Sequence, residues 1–133
     1  MAIKMQIQSR TRNQLIDLTG QVQDIVQKEG WHTGVITLFC PHTTAGVTIN
    51  ENADPAVSRD ILETLSRLVP AAQAHFTHLE GNSDAHLKSS LIGVSQQVLL
   101  EGGHLLMGTW QNIYFAEFDG PRARQVWVSF CGK

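Results

Sequence analysis

The sequence predicts an α+β fold of order ββαββαβββ, a mostly antiparallel sheet system with two main helices and a short third one. Three features carry that expectation. Period-two alternation opens the chain, two later segments repeat apolar residues at helical spacing, and the last third is a series of β-branched and aromatic runs separated by glycine and proline turns.

Ile3, Met5 and Ile7 alternate with polar neighbours and predict the first strand; Leu15 to Leu18 predict a short second one. Thr19 is the expected cap of a helix in which Val22, Ile25 and Val26 share a face and Gly30 supplies the stop. Residues 34–40 (GVITLFC) and 45–49 (AGVTI) predict two strands interrupted by the polar Pro41-His42-Thr43-Thr44. Asp54-Pro55 is a strong helix start, an N-cap followed by proline at the first helical position. Ile61, Leu62, Leu65 and Leu68 form the stripe of that helix, and Pro70 follows its end. Residues 70–83 read as a loop, with Asn82 or Ser83 capping a short helix that ends at Gly93. The remainder predicts a strand from Val94 to Leu100, a turn at Gly102-Gly103, one long strand from Leu105 to Phe118, a turn at Asp119-Gly120-Pro121, and a last strand from Val126 to Phe130.

With 133 residues, 42% hydrophobic and 17% charged, the chain is long enough for one core and is read as a single domain over residues 1–133. A formal net charge of -2 with dispersed basic residues argues against nucleic acid and anionic membranes as partners. No apolar stretch approaches the roughly 20 residues of a membrane span, and MAIKMQIQSR lacks the apolar run of a signal peptide, so a cytoplasmic location is expected. In that reducing setting Cys40 and Cys131 are expected to be free thiols.

The polar residues fall into clusters. His42 sits where a strand breaks, and His78 and His86 bracket HLEGNSDAH, which also holds Glu80, Asn82 and Asp84. Neutral imidazoles suit zinc, and three of them with one open position can support catalysis. Spacing alone does not separate a metal site from a capped loop of solvated histidines, because no HExxH or CxxC pattern is present. Asn50 and Glu51 follow an apolar strand directly, and Glu51 is either solvated or an acid–base group. Lys88, Ser89, Arg122 and Arg124 are candidate anion contacts. Gly108-Thr109-Trp110-Gln111 breaks a strand at a glycine, where backbone can approach a ligand. His32, His75 and His104 lie outside these clusters and are read as ordinary surface or core residues.

Three blocks in this order, HTTAGVTINENADP (His42 to Pro55), HLEGNSDAHLKSSLIG (His78 to Gly93) and GTWQNIYFAEFDGPR (Gly108 to Arg122), closely resemble the YjbQ-like family, also labelled secondary thiamine-phosphate synthase. The resemblance runs over nearly the whole chain. Its departures are mild: the strand before Gly102 lacks an expected proline, and Asn112 replaces a frequent glycine. It implies a β-sandwich-like α+β domain that assembles as a homotrimer, with Trp110 near the subunit contacts, and polar motifs that converge on one pocket. His42, His78 and His86 lie inside the family's motifs, which makes them the expected ligands of one divalent metal, zinc first and magnesium as the alternative.

The function expected from these features is that of a metal-dependent enzyme on a small phosphorylated or otherwise anionic metabolite, with thiamine-phosphate synthesis as a secondary activity. In that frame Glu51 and Glu80 are the expected catalytic residues, and Asn50, Asn82, Asp84, Lys88, Ser89, Thr109, Gln111 and Arg122 the expected substrate contacts. Two alternatives stand beside it. One is a non-catalytic trimeric binder of a metabolite or metal, and the other a zinc-dependent hydrolase or lyase.

Overall fold

The computed structural model describes residues 1–133. Strands β1 (Ile3–Gln8) and β2 (Gln14–Asp17) precede helix α1 (Thr19–Glu29), and β3 (Gly34–Phe39) and β4 (Ala45–Glu51) follow it. Helices α2 (Pro55–Leu68) and α3 (Ser83–Ile92) come next, then β5 (Ser95–Glu101), β6 (His104–Leu106), β7 (Gln111–Glu117) and β8 (Ala123–Gly132). All strand pairings are antiparallel, in a five-stranded sheet β1-β8-β3-β5-β6 and a three-stranded sheet β2-β7-β4. The fold is the expected α+β arrangement.

Alternation along the strands explains how the layers stack. Ile36 and Leu38 of β3, Val98 and Leu100 of β5 and Val126 and Val128 of β8 form one wall of the main core, and Val47, Ile113 and Phe115 of the smaller sheet form the other. Leu18, Val22 and Val26 close it from α1. Strand β7 is buried on both faces, because Ala116 and the following Phe118 pack with Leu62, Leu65, Ala85 and Ile92 beneath α2 and α3. Of the expected α2 stripe, Leu62 and Leu65 reach this second cluster, whereas Leu68 is exposed.

Local signals read from the sequence mostly hold. Asp54 Oδ1 accepts the Ala56 N–H at 2.9 Å ahead of Pro55, and Gly30 ends α1 in the left-handed region at φ 68°. Two differ. The strand expected from Leu105 to Phe118 is split into β6 and β7, because Gly108 N–H donates to Gln111 Oε1 at 2.8 Å while Gln111 N–H returns to the Gly108 carbonyl at 3.0 Å, closing a turn. Thr19 does not cap α1: its hydroxyl accepts the Ile113 N–H at 2.9 Å, tying the helix to β7. Both cysteines are free, Cys40 buried and Cys131 exposed, and burial raises the Cys40 thiol to about 11.

Gly46 sets the distance between the small sheet and the end of α3. A Cβ there would lie 2.4 Å from the Gly93 carbonyl oxygen, a backbone atom that cannot swing aside. Gly46→Ala should therefore cost about 1–3 kcal/mol, read as a lower urea midpoint at unchanged slope. Gly20→Ala, where nothing lies within 4 Å, is expected to leave the midpoint unchanged or raise it.

Candidate functional site

Glu117, the last residue of β7, lies on the same side as Ile113 and Phe115, so the alternation carries a carboxylate into the end of the main core. Arg124 shares the inward side of β8 with Val126 and Val128. Both are buried, and Arg124 donates through Nε to Glu117 Oε1 at 2.9 Å and through Nη2 to Oε2. Ser9 Oγ donates to the same carboxylate at 2.6 Å and Asp119 N–H at 3.0 Å, and Arg124 Nη2 also donates to Thr44 Oγ1 at 2.8 Å. Burial pushes the Glu117 carboxyl up, but the donors from Arg124, Ser9 and Asp119 outweigh it and hold the group below its ordinary value.

This pair fixes the β3–β4 loop, the end of β1 and the β7–β8 turn against one another. Beside them and the start of α3 lies a polar cavity of about 360 Å³. Pro41, His42, Thr43 and Thr44 line it from the β3–β4 loop, His78, Glu80, Asn82 and His86 from the α3 side, and Asp119, Arg122 and Arg124 from the last turn. Apart from Pro41 its wall holds no hydrocarbon side chain. The three histidines expected from the sequence thus share one cavity.

Their hydrogen bonding differs. His42 Nε2 accepts the Gln125 N–H at 2.9 Å, which requires a neutral ring with its proton on Nδ1. Burial, with the nearby Arg124 guanidinium, lowers the His42 pKa from its ordinary value. His78 and His86 meet edge to face with ring centres 5.2 Å apart, and His78 Nε2 is 3.9 Å from Glu80 Oε2. Asp119 Oδ2 accepts from Asn82 Nδ2 at 2.8 Å and from Arg122 Nη2 at 3.1 Å, joining the start of α3 to the last turn. Asn82 Oδ1 is buried without a partner. No three His, Cys, Asp or Glu side chains are drawn together at metal-ligand spacing.

A family model described as UPF0047 protein YjbQ-like matches residues 3–133. The chain belongs to this family. It is 50% identical over 132 residues to a UPF0047 protein of Methanocaldococcus jannaschii, covering 99% of this chain and 95% of that one. It is 47% identical over 128 residues to the UPF0047 protein YugU of Bacillus subtilis, covering 96% and 97%. The crystal structure of an uncharacterized conserved YjbQ/UPF0047-family protein from Clostridium acetobutylicum is similar at a TM-score of 0.94 and 50% identity, covering 97% of this chain and 99% of that one. A YbjQ-like protein of unknown function from Sulfolobus solfataricus also gives 0.94, at 30% identity, covering 100% and 97%.

Several expected site residues of this YjbQ-like chain lie elsewhere. Asn50 and Glu51 end the strand that Ala45 begins beside the cavity, about 20 Å away at ordinary strand rise. Gln111 pairs with Glu51 across β7, and Thr109 is exposed just before it, so all four sit at the opposite end of the small sheet and none lines the cavity. Asp84, Lys88 and Ser89 are buried, Ser89 at the edge of a neighbouring hollow that His42, Thr43 and His86 also line. Arg12 grips Asp84 with both nitrogens at 2.9 and 3.0 Å, Lys88 Nζ lies 3.3 Å from the same carboxylate, and Ser89 Oγ donates to the Ala45 carbonyl at 2.6 Å. Glu80, Asn82 and Arg122 do line the cavity. Asp119 was read only as a turn residue, and Thr43 and Thr44 only as a polar interruption; all three also line it.

The titrating groups of the YjbQ-like chain set its acid stability. His42 binds a proton less readily when folded, so stability is full above the unfolded imidazole value near 6.5 and declines as pH falls below it. Glu117 and Asp84 are depressed carboxyls, whose stabilisation is present above about 4 and lost as pH falls through their lower folded values. Denaturant titrations across pH should therefore show a first decline below about 6.5 that His42→Gln removes, and a steeper acid one that it does not.

Proposed function

We propose that the polar cavity is the active site of a metal-assisted enzyme acting on a small phosphorylated or otherwise anionic metabolite. The supporting observation is its charge balance. Glu80 and Asp119 offset Arg122 and Arg124, and Arg124 is already held by Glu117 and Thr44. Histidines aside, such a wall has no net positive charge to offer an anion, and a divalent ion would supply it.

His78 and His86, adjacent imidazoles on the cavity wall, would supply two nitrogen donors to zinc, with the remaining positions left to water or substrate; magnesium, which takes oxygen ligands, suits them less. His42 fits as a hydrogen-bond donor rather than a ligand while Gln125 occupies its Nε2. Bound zinc would supply positive charge for the anion and the developing leaving group. Arg122, held by Asp119, orients the anion; His42 donates from Nδ1; Glu80 takes or returns a proton. Thiamine-phosphate synthesis, where pyrophosphate leaves the methylene carbon attached to a pyrimidine and a thiazole nitrogen replaces it, is one reaction of this kind, and hydrolysis or elimination of a phosphate is the other. The 73% exposure of the Glu80 side chain favours a second reading, binding without turnover, which a broad metabolite turnover screen separates from the first.

Elemental analysis is expected to find about one zinc per chain, following the single-site zinc stoichiometry of protein sites. His78→Ala and His86→Ala should lose it, His42→Ala should impair turnover more than zinc content, and His104→Ala should change neither. Zinc affinity should fall as pH drops through the imidazole range, because the ligands must be neutral. Folded His78→Ala and His86→Ala proteins that keep their full zinc would sink the metal reading.

We also propose that the protein is a homotrimer with Trp110 near the contacts. The family resemblance supports this, together with exposed apolar side chains in the last third of the chain: Trp110 is 62% exposed, and Leu99 and Leu106, paired across β5 and β6, are 57% and 48% exposed. Light scattering at micromolar concentration should return three times the chain mass, and a stable monomer would refute the assembly.

A further inference from the structure

A second hollow borders the polar cavity and is not used by the chemistry above. It measures about 470 Å³ and is lined by Phe76 and Leu87, by His75, Thr77 and Ser83, and by His78 and His86. The same two imidazoles line the polar cavity, so the two hollows lie on either side of His78 and His86. Their chemistry contrasts. The polar cavity carries Glu80, Asp119, Arg122 and Arg124, whereas the second hollow contains no Asp, Glu, Lys or Arg. Within it the Phe76 ring meets His75 edge to face at 4.8 Å.

We propose that the two hollows are halves of one substrate site, which takes a molecule with an anionic end in the polar cavity and an uncharged planar ring against Phe76 and His75. This rests on the anion-site reading of the polar cavity and adds the other half of the ligand. The division follows from desolvation. A charged end in the second hollow would meet hydroxyls and imidazoles but no cationic side chain, whereas Arg122 faces the polar cavity, and a ring in the polar cavity would strip water from charged groups with no apolar side chain beyond Pro41 to receive it. The hollow has room for the ring: a cavity of about 150 Å³ holds benzene, and ligand pockets run from roughly 300 to 1,000 Å³. An aromatic corner also favours a ring over an alkyl chain of equal area, since offset and edge-to-face pairs add to simple burial. In a molecule so placed, the link between ring and anion lies beside His78 and His86, which puts the reacting bond at the junction of the two hollows.

Calorimetric titration of the protein as purified with inorganic phosphate, butyl phosphate and phenyl phosphate tests this. Phenyl phosphate is expected to bind about tenfold or more tighter than inorganic phosphate, with butyl phosphate between them. Phe76→Ala should remove most of the phenyl advantage while leaving the inorganic phosphate Kd unchanged, and His75→Ala should act in the same direction should the first variant fail to fold. Arg122→Gln should weaken all three anions in parallel. Inorganic phosphate binding with no gain for phenyl phosphate, or a gain that survives Phe76→Ala, would overturn the two-part site while leaving the anion site standing. Equal affinities for the butyl and phenyl esters would refute the ring. Binding of none of the three would overturn both. A change of oligomeric mass in Phe76→Ala would assign the hollow to a second copy of the chain and overturn it as a substrate site.

Discussion

The Glu117 carboxylate is where the sheets and the cavity are joined. It sits at the end of a hydrocarbon core with no solvent exposure, and its oxygens accept from Arg124, Ser9 and the Asp119 amide. Each of those donors belongs to a different segment: β8, the chain just after β1, and the turn after β7. Arg124 carries the connection onward to Thr44 and so to the loop bearing His42. A buried ion pair of this kind adds little net stability compared with well-packed hydrocarbon, but losing one member strands a charge in the core. Its value here is geometric. The segments around Ser9 and Thr44, remote in sequence, are held against the β7–β8 turn because one carboxylate and its arginine draw donors and acceptors from all of them.

A second buried carboxylate does the same for α3. Asp84 is gripped by Arg12 and approached by Lys88, which fastens the helix carrying Asn82 and His86 to the segment between β1 and β2. Gly120 lets the last turn press onto that same segment, since a Cβ there would lie 2.3 Å from the Thr11 carbonyl oxygen. Residues 9–13 therefore brace both sides of the cavity without lining it.

How much of this was legible in the sequence depended on the range of the determining interaction. Asp54-Pro55, Gly30 and the alternation of Ile3, Met5 and Ile7 act over a few residues, and each was readable. His42 was readable as a polar break between apolar strands, and the motif blocks singled out His78 and His86. Asn50 and Glu51 stand out as a polar cluster directly after an apolar strand, and the length of that strand carries them to the far end of the sheet from His42, a separation that sequence spacing does not display. Asp84 and Lys88 read as ligand contacts because their distant partners leave no local trace: Arg12, which grips Asp84, lies 72 residues from it, and Asn13, which Lys88 reaches, lies 75 residues away. Glu117 did leave a signal: in IYFAEF it falls in phase with Ile113 and Phe115, which places it on the buried face and calls for a cationic partner.

The bracing by residues 9–13 has an evolutionary consequence. Most side chains that fasten the cavity are not those that face into it: Ser9, Arg12, Asp84, Lys88 and Glu117 stand behind the wall, while His78, Glu80, His86 and Arg122 form its surface. Substitutions at those four positions leave the side-chain bonds of Glu117 and Asp84 intact, whereas Arg124 and Thr44, which also line the cavity, belong to the scaffold; the chemistry of the cavity can therefore drift at the first set without the second being re-selected. A lineage built this way can keep its architecture across distant organisms while its members come to recognise different small molecules.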